Sequence, residues 1–272
     1  PCAARLHAPD PARHEQADPE LLISLLAGSP SKSVKCRHTL QRGAKLSRIS
    51  RAFGSSIGSK AVVAVTGILL FLFLVGHLVG NLLIYKGPES VNNYAQSLRS
   101  LGPLLWVIRG GLILIAVVHI IGTVRLTLKN RAARPVGYHR TSNVQLALSA
   151  RTMVWTGLLV LAYLVYHLLH FTFRVTEPSF ATLTDAHGRH DVYAMTVLGF
   201  RQIPIAAMYL VATALLAFHL MHGTRSFLQT LGFHPDENRI LRSAGPLLAF
   251  LMFAGFASIP TTIQLGWVTL VP

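Results

Sequence analysis

The stretch MYLVATALLAFHLMHGTRSFLQTLG, Met208 to Gly232, decides the class of this protein. It continues an apolar run that begins near Ile203 and carries His219 and His222 within it. A titratable or metal-binding side chain inside so apolar a segment is costly unless it has a partner or a task. The same pattern occurs in three earlier runs, as His77 in FLVGHLVGNL, His119 in VVHIIGTVRL and His167 in YLVYHLLHFTF. The chain reads as a frame for imidazoles held inside apolar helices.

Composition supports that reading. Of 272 residues, 51% are hydrophobic and only 13% are charged, and the apolar residues come in blocks too long for helices half exposed to water. The formal net charge of +15 would suit nucleic acid, but the basic residues fall in the connections between apolar runs rather than along one patch, which excludes that class. Two cysteines, Cys2 and Cys36, offer neither a disulfide framework nor a cysteine-rich metal motif.

Residues 1–58 form a polar, basic segment rich in Pro, Arg, His and Ser, expected to be disordered; its one apolar patch, ELLISLLAG (Glu20 to Gly28), is too short to span a bilayer, and no signal-peptide pattern is evident. Residues 59–272 carry the rest. A helix rising about 1.5 Å per residue crosses a hydrocarbon core of roughly 30 Å in some 20 residues. Spans are therefore expected from Ala61 to Tyr85, about Leu104 to Leu128, Met153 to Phe173, Ile203 to His222, and Pro246 to Val271. The fold class is all-α, an integral membrane bundle of five transmembrane helices.

Lysine and arginine in short connections orient such a bundle. Arg42, Lys45, Arg48, Arg51 and Lys60 precede the first span, and Lys129, Arg131, Arg134, Arg140 and Arg151 lie between the second and third. The loops after the first and third spans hold fewer, and the latter also holds Glu177, Asp185 and Asp191. The N-terminus is expected in the cytoplasm and the C-terminus outside.

Helix rise then sorts the histidines by depth. His77 and His167 stand about 16 and about 14 residues into outward-running spans, roughly 21 to 24 Å from the cytoplasmic edge. His119 and His219 lie within about 9 residues of the cytoplasmic ends of inward-running spans, roughly 5 to 14 Å deep. Two levels with two histidines each, from the first and third spans and from the second and fourth, meet the requirement of two bis-histidine haems stacked inside four of the helices. Zinc is disfavoured, because a structural zinc site gathers four ligands in one compact cluster. His170 and His222 each follow a proposed ligand by three residues, about 60° round the same helix, so either member of each pair can be the ligand. Gly67, Gly76, Gly80, Gly111, Gly122 and Gly157 would let a flat macrocycle approach, or equally let helices pack closely.

These residues resemble the di-haem cytochrome b subunit that anchors succinate dehydrogenase, or the related fumarate reductase, in the bacterial cytoplasmic membrane. The resemblance runs from about Ser59 to the C-terminus through GHLVGNLL, GPESVNNYAQSLRSLGP (Gly87 to Pro103), VVHIIGTVRLTLKN, VYHLLHFTF and HLMHGTRSFLQTLG. It implies His219 rather than His222 as fourth ligand, from its spacing to Gly223 and Gly232, and His167 rather than His170. It implies two haems b, a flavoprotein subunit and an iron-sulfur subunit as partners, and a quinone, usually menaquinone in five-helix members, as electron acceptor. Electrons would pass from the His119/His219 haem to the His77/His167 haem. The chain would be a subunit of succinate:quinone oxidoreductase, with no succinate-binding site of its own. Some fumarate reductase relatives carry a glutamate two residues before the fourth ligand for proton movement; Ala217 stands here. Residues 1–50 match nothing in that family.

Weaker signals remain. Arg125 and Arg225 suit either snorkelling at a span end or a haem propionate. Asn81, Tyr94 and Trp106 lie near the outer end, where a quinone can be held, although interfacial Trp and Tyr are common without one. Two other functions stay open: a cytochrome b subunit of a formate dehydrogenase or hydrogenase, disfavoured by the ligand spacing, and a proton-coupled transporter, which predicts acidic residues within the spans and finds none.

Overall fold

The computed structural model describes residues 56–133, 144–235 and 237–270. The expectations for residues 1–55, with Cys2 and Cys36, and for Arg134 and Arg140 lie outside the described residues.

Seven α-helices follow in order among the described residues: α1 (Ser56–Leu82), α2 (Pro88–Arg99), α3 (Pro103–Ala132), α4 (Val144–His167), α5 (Val192–Arg201), α6 (Ile203–Thr230) and α7 (Arg239–Gln264). No strand forms there beyond a single antiparallel bridge between Thr184 and His190. Five helical segments are long and apolar enough to cross a membrane: Ile57–Lys86, Pro103–Ala132, Thr152–Thr172, Ile203–Thr230 and Arg239–Gln264. The chain is a multi-pass membrane protein by that measure, with α2 and α5 as short additional helices on one side of the bundle.

Local chemistry sets the boundaries. Gly87, at φ 94°, turns the chain into α2, where Pro88 occupies the first turn, Glu89 sits at the positive end of the helix and Arg99 at the negative end. Asp191 caps α5 by accepting a hydrogen bond from the Ala194 amide, and Asn238 caps α7 by accepting from the Ile240 and Leu241 amides. The last two spans differ from the positions the hydropathy suggests. α6 runs on past His222 to Thr230, because GTRSFLQT contains no helix breaker strong enough to stop it. α7 begins at Arg239, and Pro246 lies inside it rather than at its start. The Asn238 cap is the stronger start signal, and Gly266 at φ 74° ends the helix with the Trp267 amide reaching back 2.9 Å to the Thr262 carbonyl.

The spans pack unevenly. α1 lies against α3, α4 against α6, and α6 most extensively against α7, while α1 also touches α6 and α7. None of the residues of α3 is buried. It packs along one face, where His119, Gly122 and Thr123 are half-buried, and its other faces are open. The packed core sits instead at the end that carries α2 and α5, where Ile84, Val91, Tyr193, Val197, Phe200, Tyr209, Ile259 and Ile263 cluster. Asn92, 1% exposed, ties this end together: its carbonyl accepts from the Val192 and Tyr193 amides, and its amide nitrogen lies 3.3 Å from Asp185 and 3.1 Å from Asp191. Arg189 bridges Glu89 and Asp185 beside it, at 2.8 and 2.7 Å. The hydrogen bond from Arg189 holds the Glu89 carboxyl below the usual carboxylate range.

Candidate histidine sites between the helices

The four histidines singled out by the sequence project from the four helices α1, α3, α4 and α6, and each is half-buried. His77 and His167 face each other with ring centroids 5.9 Å apart and planes at 86°. Two imidazoles on opposite sides of one metal ion, each bound at about 2 Å, have centroids roughly 6 Å apart. Phe73 stacks on His77 at 5.5 Å, and Phe256 of α7 closes that side at 6.1 Å.

The chain past His167 departs from the α-helix. Leu168 to Thr172 form a π-helical turn, the kind of local bulge that re-aims side chains at functional positions. It turns His170 into the core, where it is 2% exposed and shares a hydrogen bond of 3.0 Å with the Tyr209 hydroxyl. The same hydroxyl lies 3.4 Å from His167 Nδ1. Tyr163, Tyr166, Phe171 and Phe200 surround Tyr209, with ring centroids between 4.9 and 6.3 Å from it. His170 is thus committed to an aromatic, hydrogen-bonded cluster, whereas His167 looks toward His77. Tyr209 and the π turn are the parts of this site that sequence reasoning missed; a tyrosine in an apolar run without a polar neighbour was the available signal for the first.

His119 and His219 occupy the other level. His119 Nδ1 lies 3.1 Å from the Thr66 hydroxyl oxygen, which also reaches the Val62 and Val63 carbonyls at 2.8 and 3.1 Å. With the hydroxyl proton on either carbonyl, the hydroxyl accepts from Nδ1, and Nε2 then carries the lone pair that a ligand site needs. Gly67 makes room for this ring: a Cβ there would come within 3.2 Å of His119 Cε1. Gly157 of α4 faces His219, whose Cε1 would lie in ordinary contact, 3.5 Å, from a Cβ there. Gly67 and Gly157 stand at corresponding places on α1 and α4, each ten residues before the histidine of the first level, which puts His119 and His219 at one depth. The Nδ1 atoms of His219 and His222 are both buried without a hydrogen-bond partner. Orphaned polar atoms at that depth mark a place where a further group belongs.

The remaining candidates divide. Gly80 receives the Tyr94 ring and Gly122 receives Val63, so these two serve helix packing, while Gly76 and Gly111 have nothing within 4 Å of a built Cβ. The Asn81 side chain donates to the His77 carbonyl at 2.7 Å, within its own helix. Arg125 is exposed and Arg225 half-buried. Among the described residues no three His, Cys, Asp or Glu side chains gather at one point. Searches against protein-family models, curated proteins and solved structures return no match.

Proposed function

We propose that this chain is the membrane-anchor cytochrome b subunit of a succinate dehydrogenase, holding two haems b and passing electrons from an iron-sulfur partner subunit to a membrane quinone. The observation that carries the reading is the pairing of His77 with His167 at 5.9 Å between apolar helices that contain no acidic residue, with a second histidine level beside it.

Bound haem would supply one-electron transfer within the membrane. The residues of the chain provide the rest. His77 and His167 would hold one haem, and His119 and His219 the other. Thr66 fixes the His119 tautomer by accepting from Nδ1, which orients Nε2. Tyr209 does the corresponding work for His167 and is shared with His170. Gly67 keeps the His119 ring of the second site unobstructed. The apolar spans exclude water, which keeps each site at low dielectric and the neutral imidazole favoured.

In this reading the cytoplasmic face carries Lys129 and Arg131 and docks a flavoprotein and the iron-sulfur protein, and the α2–α5 side lies across the bacterial cytoplasmic membrane. Menaquinone is the expected acceptor. The proton-coupled transporter is the less favoured alternative, since an intramembrane proton relay calls for carboxylates that the five spans lack.

Pyridine haemochrome assay on the purified full chain tests the proposal: about two haems b per chain are expected from two bis-histidine sites, and a protein free of haem after expression with ample haem supply would overturn it. Reporter fusions after Arg131 and after Trp267 should report opposite compartments; the same compartment for both would refute the assigned orientation.

A further inference from the structure

On the side of α2 and α5 an open cleft of about 960 Å³ lies between the end of α2, the start of α3 and the segment that follows the π turn. Its charged side chains are the three guanidinium groups of Arg99, Arg109 and Arg174, with the neutral His190 ring beside them accepting from Arg174. No carboxylate lines it. The acids of the neighbouring loops are engaged elsewhere, Glu89 and Asp185 by Arg189, and Asp191 by Asn92 and the α5 cap.

The way these cations are held is costly. Arg174, at φ 55°, is the one non-glycine residue with positive φ among the described residues, a conformation that a side chain disfavours. It places the guanidinium 3.1 Å from His190 Nε2. Burial and then the charges of Arg174 and Arg109 lower the pKa of Arg99, and burial followed by Arg99 and Arg174 lowers that of His190. Asp191 acts in the opposite sense on His190 without offsetting those effects. Arg109 rests over the Trp106 ring at 5.1 Å, on the rim. The first turn of α3 adds the positive end of a long helix, opened by Gly102 and Pro103 with no side-chain cap. Three guanidinium groups that line one cleft with no carboxylate among them suit an anion.

We propose that this cleft binds a phosphate oxyanion at the membrane surface, of the kind that an acidic phospholipid headgroup presents. It goes beyond the electron-transfer reading and does not depend on it. Guanidinium groups bind phosphate oxygens in pairs. The cleft sits at the end of a span, and Trp106 at its mouth is 68% exposed, as interfacial tryptophans are. From there the apolar flank of α3, with Leu104, Val107 and Leu114 all more than half exposed, offers a track for acyl chains.

The test uses the full chain purified in a neutral detergent, with dihexanoyl phosphatidylglycerol, dihexanoyl phosphatidylcholine and inorganic phosphate titrated separately by calorimetry. Saturable binding of one phosphatidylglycerol per chain, with phosphatidylcholine much weaker, is expected. Each of Arg99→Gln and Arg174→Gln should weaken it roughly tenfold, the worth of one charge-assisted hydrogen bond, while Arg99→Lys retains part of the affinity and Arg131→Gln, at the other end of α3, leaves it unchanged. If inorganic phosphate binds as tightly as the lipid and competes with it, the site takes the free anion; if the lipid is preferred, its headgroup is the source. The proposal is overturned if the wild-type chain binds neither saturably, or if Arg99→Gln and Arg174→Gln, folded as judged by their thermal melts, bind as wild type does.

Discussion

His170 and His222 stand in equivalent places, each three residues after a histidine that faces the bundle interior, yet the two ends of the bundle treat them in opposite ways. His170 is swung by the π turn into a ring of aromatics and bonded to Tyr209. His222 stays on a regular α-helix with a buried Nδ1 that meets no partner, as does His219 one turn before it. The end near α2 and α5 is a finished core, with Asn92, Tyr193, Val197 and Phe200 buried among four helices. The other end relies on α1 and α3 meeting across small residues, with no residue of α3 buried. The first level is enclosed by the protein's own aromatic rings, and the second keeps two buried ring nitrogens without a hydrogen-bond partner. If the two levels hold the proposed haems, the packed end should survive without one and the open end should depend on one.

The comparison breaks most visibly at the ligands. His77→Leu or His167→Leu should lose one of two haems b, about half the pyridine haemochrome signal, with the protein still folded; His119→Leu or His219→Leu should lose the other and also lower the melting temperature more. Loss of the same spectral component in His77→Leu and His119→Leu would mean the two do not belong to different sites. His170→Leu and His222→Leu should retain both haems.

A second effect belongs to the finished end. Asn92→Ala removes the acceptor for two buried amides and should cost about 3 kcal/mol in thermal or denaturant unfolding, with the His119/His219 spectrum unchanged. An unaltered melt would show that the α2–α5 contact carries little of the fold. Tyr209→Phe comes next: His170 loses its partner at a cost of about 1–2 kcal/mol, and the midpoint potential of the His77/His167 haem shifts while that of its neighbour does not. Equal shifts in both would sink the assignment of Tyr209 to one level. The smallest expected change is Thr66→Val, worth about 0.5–1.5 kcal/mol, which should move only the other potential, by releasing His119 Nδ1.

Most of the bundle was legible because membrane burial is written in runs of apolar residues. Leu, Val and Ile blocks marked all five spans, and histidines stood out against them at once. The ends were less legible: HGTRSFLQT is polar enough to suggest a loop but is helical throughout, and Pro246 resembled a start although Asn238 supplies the cap. α5 was read as loop because its ten residues are too few to register as a span, and their burial comes from α2, α6 and α7 rather than from lipid.

What the sequence by itself determined is the class of the molecule, an all-helical chain with five apolar spans, since that follows from hydropathy and a fixed rise per residue. Which imidazole turns inward was decided only in the folded chain. His167 and His170 share the same local sequence, and their separation rests on a π turn and on a hydroxyl from α6, 42 and 39 residues away. The basic cleft has the same origin: Arg99, Arg109 and Arg174 come from separate parts of the chain, and only the fold brings them to line one cleft. Periodicity reports on neighbours along one helix; contacts between helices depend on geometry that no single stretch contains.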